Sequence, residues 1–226
     1  MRIAILADVH GNLPALEAVL RDVEAEGFDL VVSAGDVVSG PMPAACLERL
    51  AALGDRIRWV MGNADREALD GTDAWVHERL TPEQLAIVER FAPTVDLGEV
   101  LVCHGTPASD EECVTLLTPP ERLERLLAGE EHPVVVGGHV HHQFVQRAGR
   151  TQWVNAGSVG MPYEGAEGAF WVAILDDGTP DHRRSAYDVG AALEVIAATG
   201  YPEDLTDVLR GKVTPQEAAA AFEPAS

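Results

Sequence analysis

The chain has 226 residues with 46% hydrophobic and 23% charged content, enough to bury a substantial core and ordinary for a globular protein. Its formal net charge of −21 repels polyanions at long range and weighs against long nucleic acid as a partner. No apolar run approaches the roughly 18 residues of a membrane helix, and three cysteines in neither an even framework nor a Cys-x-x-Cys pair point to a reducing, cytoplasmic setting.

Arg2–Ala7 reads as a buried first strand, which Asp8 ends before the apolar region of a leader, about 7–15 residues, could form. After Gly11-Asn12-Leu13-Pro14, the residues Leu16, Val19, Leu20 and Val23 fall at helical spacing. Leu30–Ala34 is a second buried strand, Ala44–Leu53 a second helix and Ile57–Met61 a third strand, so the alternation predicts a parallel sheet. Pro82–Phe91, after Thr81 as N-cap, is a helix. Thr94–Leu97 and Val100–Cys103 flank Gly98-Glu99 like a hairpin and add an antiparallel contribution. Pro120–Leu127 is helical, Val134–Val136 a strand, and Gln143–Arg147, Thr151–Val154 and Ala169–Leu175 are further strands. This order suggests two mixed sheets packed together with outer helices over residues 1–186. The remainder, 187–226, predicts a helical appendage on the same domain, with Ala191–Ala198, Glu203–Leu209 and Pro215–Phe222 as its helices. Its Ala218–Ala221 stretch suits an ordinary terminal helix, with a lid or a dimer contact as the alternatives.

Five polar clusters directly follow apolar strands, where an α/β sheet puts its binding loops: Asp8-Val9-His10, Gly35-Asp36, Gly62-Asn63-Ala64-Asp65, His104-Gly105 and Gly138-His139-Val140-His141. In extended chain, residues two apart face one side, so Asp8 and His10 are expected to converge, as are His139 and His141, each pair able to grip a metal. Carboxylate, imidazole and amide donors suit Mn, Fe, Co, Ni or Zn, and the lack of thiolates argues for a catalytic rather than a structural site. Gly35, Gly62, Gly105 and Gly138 recur beside these residues, where tight turns would let backbone approach the ions.

The five blocks, in this order, resemble the calcineurin-like metallophosphoesterase superfamily, especially its small bacterial and archaeal phosphodiesterase branch, over about residues 3–160. Asn155-Ala156-Gly157-Ser158 resembles a further stretch of that branch, with Ala156 where its members carry Pro. The resemblance implies an α/β fold, a four-layer αββα sandwich of two mixed sheets flanked by helices. It also implies two divalent ions (Mn, Fe, Ni, Co or Zn), one held by Asp8, His10 and His141 and the other by Asn63, His104 and His139, with Asp36 bridging them. Two cations about 3.5–4 Å apart need a shared anion, and a hydroxide between them is the implied nucleophile at phosphorus. The activity implied is hydrolysis of small phosphodiesters, ahead of phosphomonoesters, with Asp36, Asn63 and His104 as catalytic residues and no membrane partner; self-association is left open.

Many members of that family have His directly after the Gly-Asn pair to assist the leaving group, but this chain has Ala64. The departure shifts the expectation toward substrates whose leaving group needs little help. Asp65 is expected either to stabilise its loop or to act behind the ligands, and Asn12 either to orient phosphate or, preferably, to cap the first helix. His77, His132 and His182 read as surface residues, His142 as pointing away from the ligands, Ser158 as a turn serine and Arg66 as a surface ion-pair partner. The rival reading is a non-catalytic interaction module on the same fold, which the intact ligand set disfavours.

Overall fold

The first half of the chain alternates as expected: β1 (Ile3–Leu6), α1 (Leu13–Glu26), β2 (Leu30–Ser33), α2 (Pro43–Ala51) and β3 (Ile57–Trp59). The computed structural model describes residues 1–223. α1 starts where Asn12 Oδ1 accepts from Ala15 N at 3.2 Å, and it stops at Gly27, whose φ of 70° is the left-handed conformation of a helix end. α3 (Asn63–Asp70), α4 (Ala74–His77) and α5 (Pro82–Val88) follow, the last opened by a reciprocal Thr81–Gln84 capping box. The chain continues through β4 (Val95–Asp96), β5 (Val100–Val102), α6 (Pro120–Leu126), β6 (Val134–Gly137), β7 (Gln143–Ala148), β8 (Thr151–Ala156), β9 (Ala169–Ile174) and β10 (Pro180–Ser185). It ends in α7 (Val189–Ala198), α8 (Thr206–Leu209) and α9 (Pro215–Phe222).

The strands form two mixed five-stranded sheets, ordered β10-β9-β1-β2-β3 and β4-β5-β6-β8-β7. β1, β2 and β3 run parallel, as do β5, β6 and β8, whereas β9, β10, β4 and β7 pair antiparallel with their neighbours. Strand alternation sorts the side chains into layers. Ile3, Ile5, Val32, Val100, Val102, Val134, Val136, Val154, Val172 and Ile174 meet between the sheets. Ala4, Leu6, Val31, Trp171 and Ala173 face outward under Leu16, Leu20, Leu47, Leu50 and Val88 of the helices. On the other outer face, Leu101, Val135 and Trp153 pack against Leu123 of α6. The result is the expected αββα sandwich, each large apolar side chain in it contributing about 1.5–3 kcal/mol by burial. The apolar residues Val189, Ile196, Leu205 and Leu209 of the C-terminal helical segment pack against Met42, Met161 and Tyr187.

Three elements depart from the sequence reading. α3 is rich in charge, with only Ala64, Asp65 and Ala68 buried, so it lacks an apolar stripe to betray it. α4 is a single turn capped by Asp73. β10 is the polar edge strand PDHRRS, a composition suited to a sheet edge and free of apolar alternation.

Candidate metal centre

Asp8, Asp36, Asn63, His104 and the pair His139/His141 follow the C-terminal ends of β1, β2, β3, β5 and β6 respectively, all members of the parallel parts of the two sheets, with β3 at a sheet edge. Backbone bonds knit these loops together: His10 N donates to Asp36 O at 2.9 Å, Gly138 N to His104 O at 2.8 Å and Gly160 N to Asp8 O at 2.9 Å. The pleat does not aim the ligands. Asp8, His10, Asp36, His139 and His141 have φ of 55°, 43°, 55°, 69° and 60°, and among the described residues they are the only non-glycine residues with positive φ. Such strain persists only where the surroundings enforce it and concentrates at functional sites.

Two groups result, each with its donor atoms within 4.8 Å of one another: Asp8, His10 and His141 in one, Asp36, His104 and His139 in the other. Extended-chain alternation alone would let His139 and His141 grip one ion as a pair; with left-handed backbone at both residues they fall one into each group instead. Asn63 Oδ1 lies 3.1 Å from His104 Nε2 and joins the second group. Asp36 Oδ2 stands between the groups, 3.6 Å from His10 Nε2 and 3.3 Å from His104 Nε2.

Three imidazoles are held from behind by main-chain carbonyls. His10 Nδ1 meets Ser39 O, His104 Nδ1 meets Ala34 O and His141 Nδ1 meets Met161 O, each at 2.8 Å. Because a carbonyl only accepts, each Nδ1 carries the proton and the Nε2 atoms turn into the site. His10 Nε2 and His141 Nε2 then face each other at 3.2 Å. Asp8 Oδ2 accepts from His139 N at 2.9 Å, but its buried Oδ1 has no hydrogen-bond partner among the described residues. A buried, orphaned carboxylate oxygen beside two opposed ring nitrogens is costly by itself and fits a cation among them.

The electrostatics agree. Burial opposes charge on His104, yet Asp36 outweighs it and pushes the imidazole up to about 10. His141 is likewise raised against its burial by Asp8, while His10 and His139 are lowered by burial and by their imidazole neighbours. Asp8 and Asp36 are held below the usual carboxylate range despite burial, chiefly by His141 and His104 respectively. In each group a buried carboxylate thus draws positive charge toward the imidazole beside it, a charge that a bound cation would supply.

Glycine is required beside these atoms. A Cβ on Gly138 would lie 2.6 Å from Asp8 Oδ2, and one on Gly62 would collide with Asp36 Oδ1. Asp65 is fully buried, its Oδ1 accepting from Val37 N at 2.8 Å and Val38 N at 3.0 Å and its Oδ2 from Gly62 N at 3.3 Å. Burial and the neighbouring Asp36 charge push Asp65 up to about 7 against these donors. Asn12 is also fully buried, capping α1 and donating to Gly160 O at 2.9 Å. Neither exposes a polar atom, so the geometry supports scaffold roles for both rather than direct substrate contact.

Ser158 is more than a turn residue: its Oγ donates to Asp8 O at 2.8 Å and accepts from Met161 N at 2.7 Å, tying the strained Asp8 loop to the segment whose Met161 carbonyl holds His141. His142 points away, buried, with Nδ1 on Val140 O at 2.7 Å. His77, His132 and His182 are half-buried and hydrogen-bonded rather than free surface residues. Arg66 pairs with Asp110 and Glu111, as expected for a surface cation. Sequence reasoning missed Tyr163, stacked on His141 at 4.8 Å, and Phe222 at the end of α9, 6.3 Å from the His139 ring. No local pattern marks either one, because only the tertiary fold brings them to the centre.

A model of the calcineurin-like phosphoesterase superfamily domain matches residues 1–178. The phosphodiesterase YfcE of Escherichia coli is 28% identical over 187 residues, covering 78% of this chain and 88% of that protein. An uncharacterised protein of Methanocaldococcus jannaschii is 27% identical over 241 residues, covering 92% and 96%. The crystal structure of a metallophosphoesterase from Sphaerobacter thermophilus superposes with a TM-score of 0.83 at 26% identity, covering 93% of this chain and 99% of that one.

Proposed function

Given that the chain belongs to the calcineurin-like phosphoesterase superfamily, we propose that it hydrolyses small phosphodiesters, in preference to monoesters, at a centre of two divalent cations. The observation that carries the reading is the orphaned Asp8 Oδ1, set beside the ring nitrogens of His10 and His141 whose other nitrogens are already engaged. Asp8, His10 and His141 would hold one cation, Asn63, His104 and His139 the other, and Asp36 both. The donor set of carboxylate, imidazole and amide fits Mn, Fe, Co, Ni or Zn. When bound, the cations supply Lewis acidity toward phosphate oxygens and lower the pKa of water toward neutrality.

The protein's own part is to fix this constellation. The carbonyls of Ser39, Ala34 and Met161 hold the imidazole tautomers, and the amide N of Ala64 holds Asp36 Oδ1 at 2.9 Å, leaving Oδ2 to the site. Asp36, Asn63 and His104 lie together where the reacting phosphate would be positioned. Ala64 offers no proton to a departing oxygen, which supports leaving groups that are stable as anions. The net charge of −21 supports a small substrate over a long polyanion.

The test is hydrolysis of an aryl phosphodiester and its matching monoester by metal-depleted protein with Mn, Co, Ni or Zn restored. Turnover should return with at least one metal and favour the diester. Correctly folded protein that binds metal yet turns over neither substrate would instead point to a non-catalytic binding module.

A further inference from the structure

A cavity of about 320 Å³ opens beside His104, walled by Met61, Phe91, Pro93, Pro107 and Ala108. Its volume lies at the small end for ligand pockets, and an apolar wall with few polar groups is their usual chemistry. Two loops that carry the proposed ligands also build it: Met61 stands two residues before Asn63, and Thr106–Asp110 follow directly on His104. A phosphate held at Asp36, Asn63 and His104 would therefore have this cavity next to one of its ester oxygens.

The walls are fixed. Phe91 is 6% exposed and stacks on Trp59 with ring centroids 4.7 Å apart and planes 7° from parallel. Thr106 N donates to Ser109 O at 2.7 Å and Ser109 N returns to Thr106 O at 3.2 Å, closing the loop on itself. Ser109 Oγ accepts from Glu111 N and Glu112 N at 3.1 and 3.2 Å. No Lys or Arg is among the described residues lining the cavity. At its rim, Arg66 is engaged by Asp110 at 2.9 Å and by Glu111 at 2.7 Å. Two carboxylates on one guanidinium leave the rim negative, which opposes a second phosphate there.

We propose that this cavity is the leaving-group subsite and that it takes an uncharged, planar aromatic ring carried on one ester oxygen of the phosphodiester. The inference rests on the phosphoesterase reading above and names its substrate class. It also accounts for Ala64, since an aromatic alcohol departs with little need of a proton donor. In the reaction, water's oxygen bonds to phosphorus and the P–O bond to the aromatic group breaks. The departing oxygen takes up the proton that water released, leaving a phosphomonoester and an aromatic alcohol.

Phenylphosphonate and methylphosphonate test this, because both carry the same anionic head and neither has an ester bond to hydrolyse. Their inhibition constants against diester hydrolysis are measured for the metal-loaded wild type and for Ala108→Trp. Ala108 is exposed at the cavity, so the indole can fill it without displacing core side chains. The wild type should favour the phenyl compound by about tenfold or more, and in Ala108→Trp the ratio should fall to near one. Equal inhibition by the two compounds in an active wild type, or an undiminished ratio in Ala108→Trp, overturns the subsite. Absence of diester hydrolysis with every metal overturns the phosphoesterase reading itself, which is a different result.

Discussion

Asp36 Oδ2 lies within 3.6 Å of ring nitrogens from both ligand groups, so replacing Asp36 by Asn weakens the hold on both proposed cations at once. Loss of a hydrogen-bonded group behind a metal ligand typically costs 10–100-fold in affinity or activity, and losing the shared ligand itself should cost more than about 100-fold at limiting metal. Asn12→Ala should behave differently, because it removes a helix cap and the bond to Gly160 O: stability falls by about 1–2 kcal/mol while kcat at saturating metal holds. Denaturant titration and steady-state kinetics on the two variants check the contrast, and a large kcat loss in Asn12→Ala would return that side chain to the substrate. The ligand-type residues are legible in sequence because Asp, His and Asn recur at strand ends beside glycine. What holds them is not. The carbonyls of Ser39, Ala34 and Met161 have no side-chain signature, and the left-handed backbone at Asp8, His10, His139 and His141 arises from loop crossings between distant segments. Two-residue alternation alone would therefore let His139 and His141 share an ion, and it is the family resemblance, not the local pattern, that implies their division.

The loop carrying Glu164, between β8 and β9, is tied to the start of β7 by a hydrogen bond from Gln143 N to Glu164 Oε1. Burial pushes Glu164 up from 4.5 to about 7. As pH rises, the unfolded chain ionises first, so the stability contributed by the protonated side chain is fully present below about 4.5 and is lost as pH climbs through about 7. Glu164→Gln keeps an acceptor for Gln143 N without the buried charge. It should unfold with a higher midpoint than wild type at pH 8, by about 1–2 kcal/mol after allowing for partial solvent screening, and match it near pH 4. Equal stability at both pH values would contradict the buried-charge account. Elements were readable where periodicity was strong, as in α1 and β1 to β3, and unreadable where it was absent. α3 begins on Asn63 and serves the site with its N-terminal turn, so its sequence is spent on chemistry rather than on an apolar face. Among the described residues β10 pairs only with β9 and can be polar throughout.

The two-sheet sandwich was legible from element order because each parallel strand is a short apolar run with a polar loop after it, and the family match over residues 1–178 agrees with that reading. We propose that 1–186 forms the phosphoesterase domain and that 187–226 is an appendage packed on it. Leu205 and Leu209 pack with Met42 and with Met161, whose carbonyl holds His141. An Ala-rich stretch suits an ordinary terminal helix and carries no signal that separates it from a lid or a dimer contact; its Phe222 approaches Tyr163 and His139, and Glu223 accepts from Thr115 Oγ1 at 2.6 Å and Thr118 Oγ1 at 2.5 Å. Across the whole molecule, the charge of −21 makes self-repulsion a destabilising term that salt screens. Raising ionic strength from about 0.01 M to 0.3 M should therefore raise Tm by about 2–4 °C, equivalent to about 1 kcal/mol, and a falling Tm would show that local ion pairs outweigh the net charge. The central claim is that one chain binds two cations sharing Asp36. Electron paramagnetic resonance during manganese titration of metal-depleted protein tests it most directly. Two equivalents should bind and give an exchange-coupled spectrum with halved hyperfine spacing that Asp36→Asn abolishes; saturation at one equivalent, or two uncoupled six-line signals in the wild type, would contradict it.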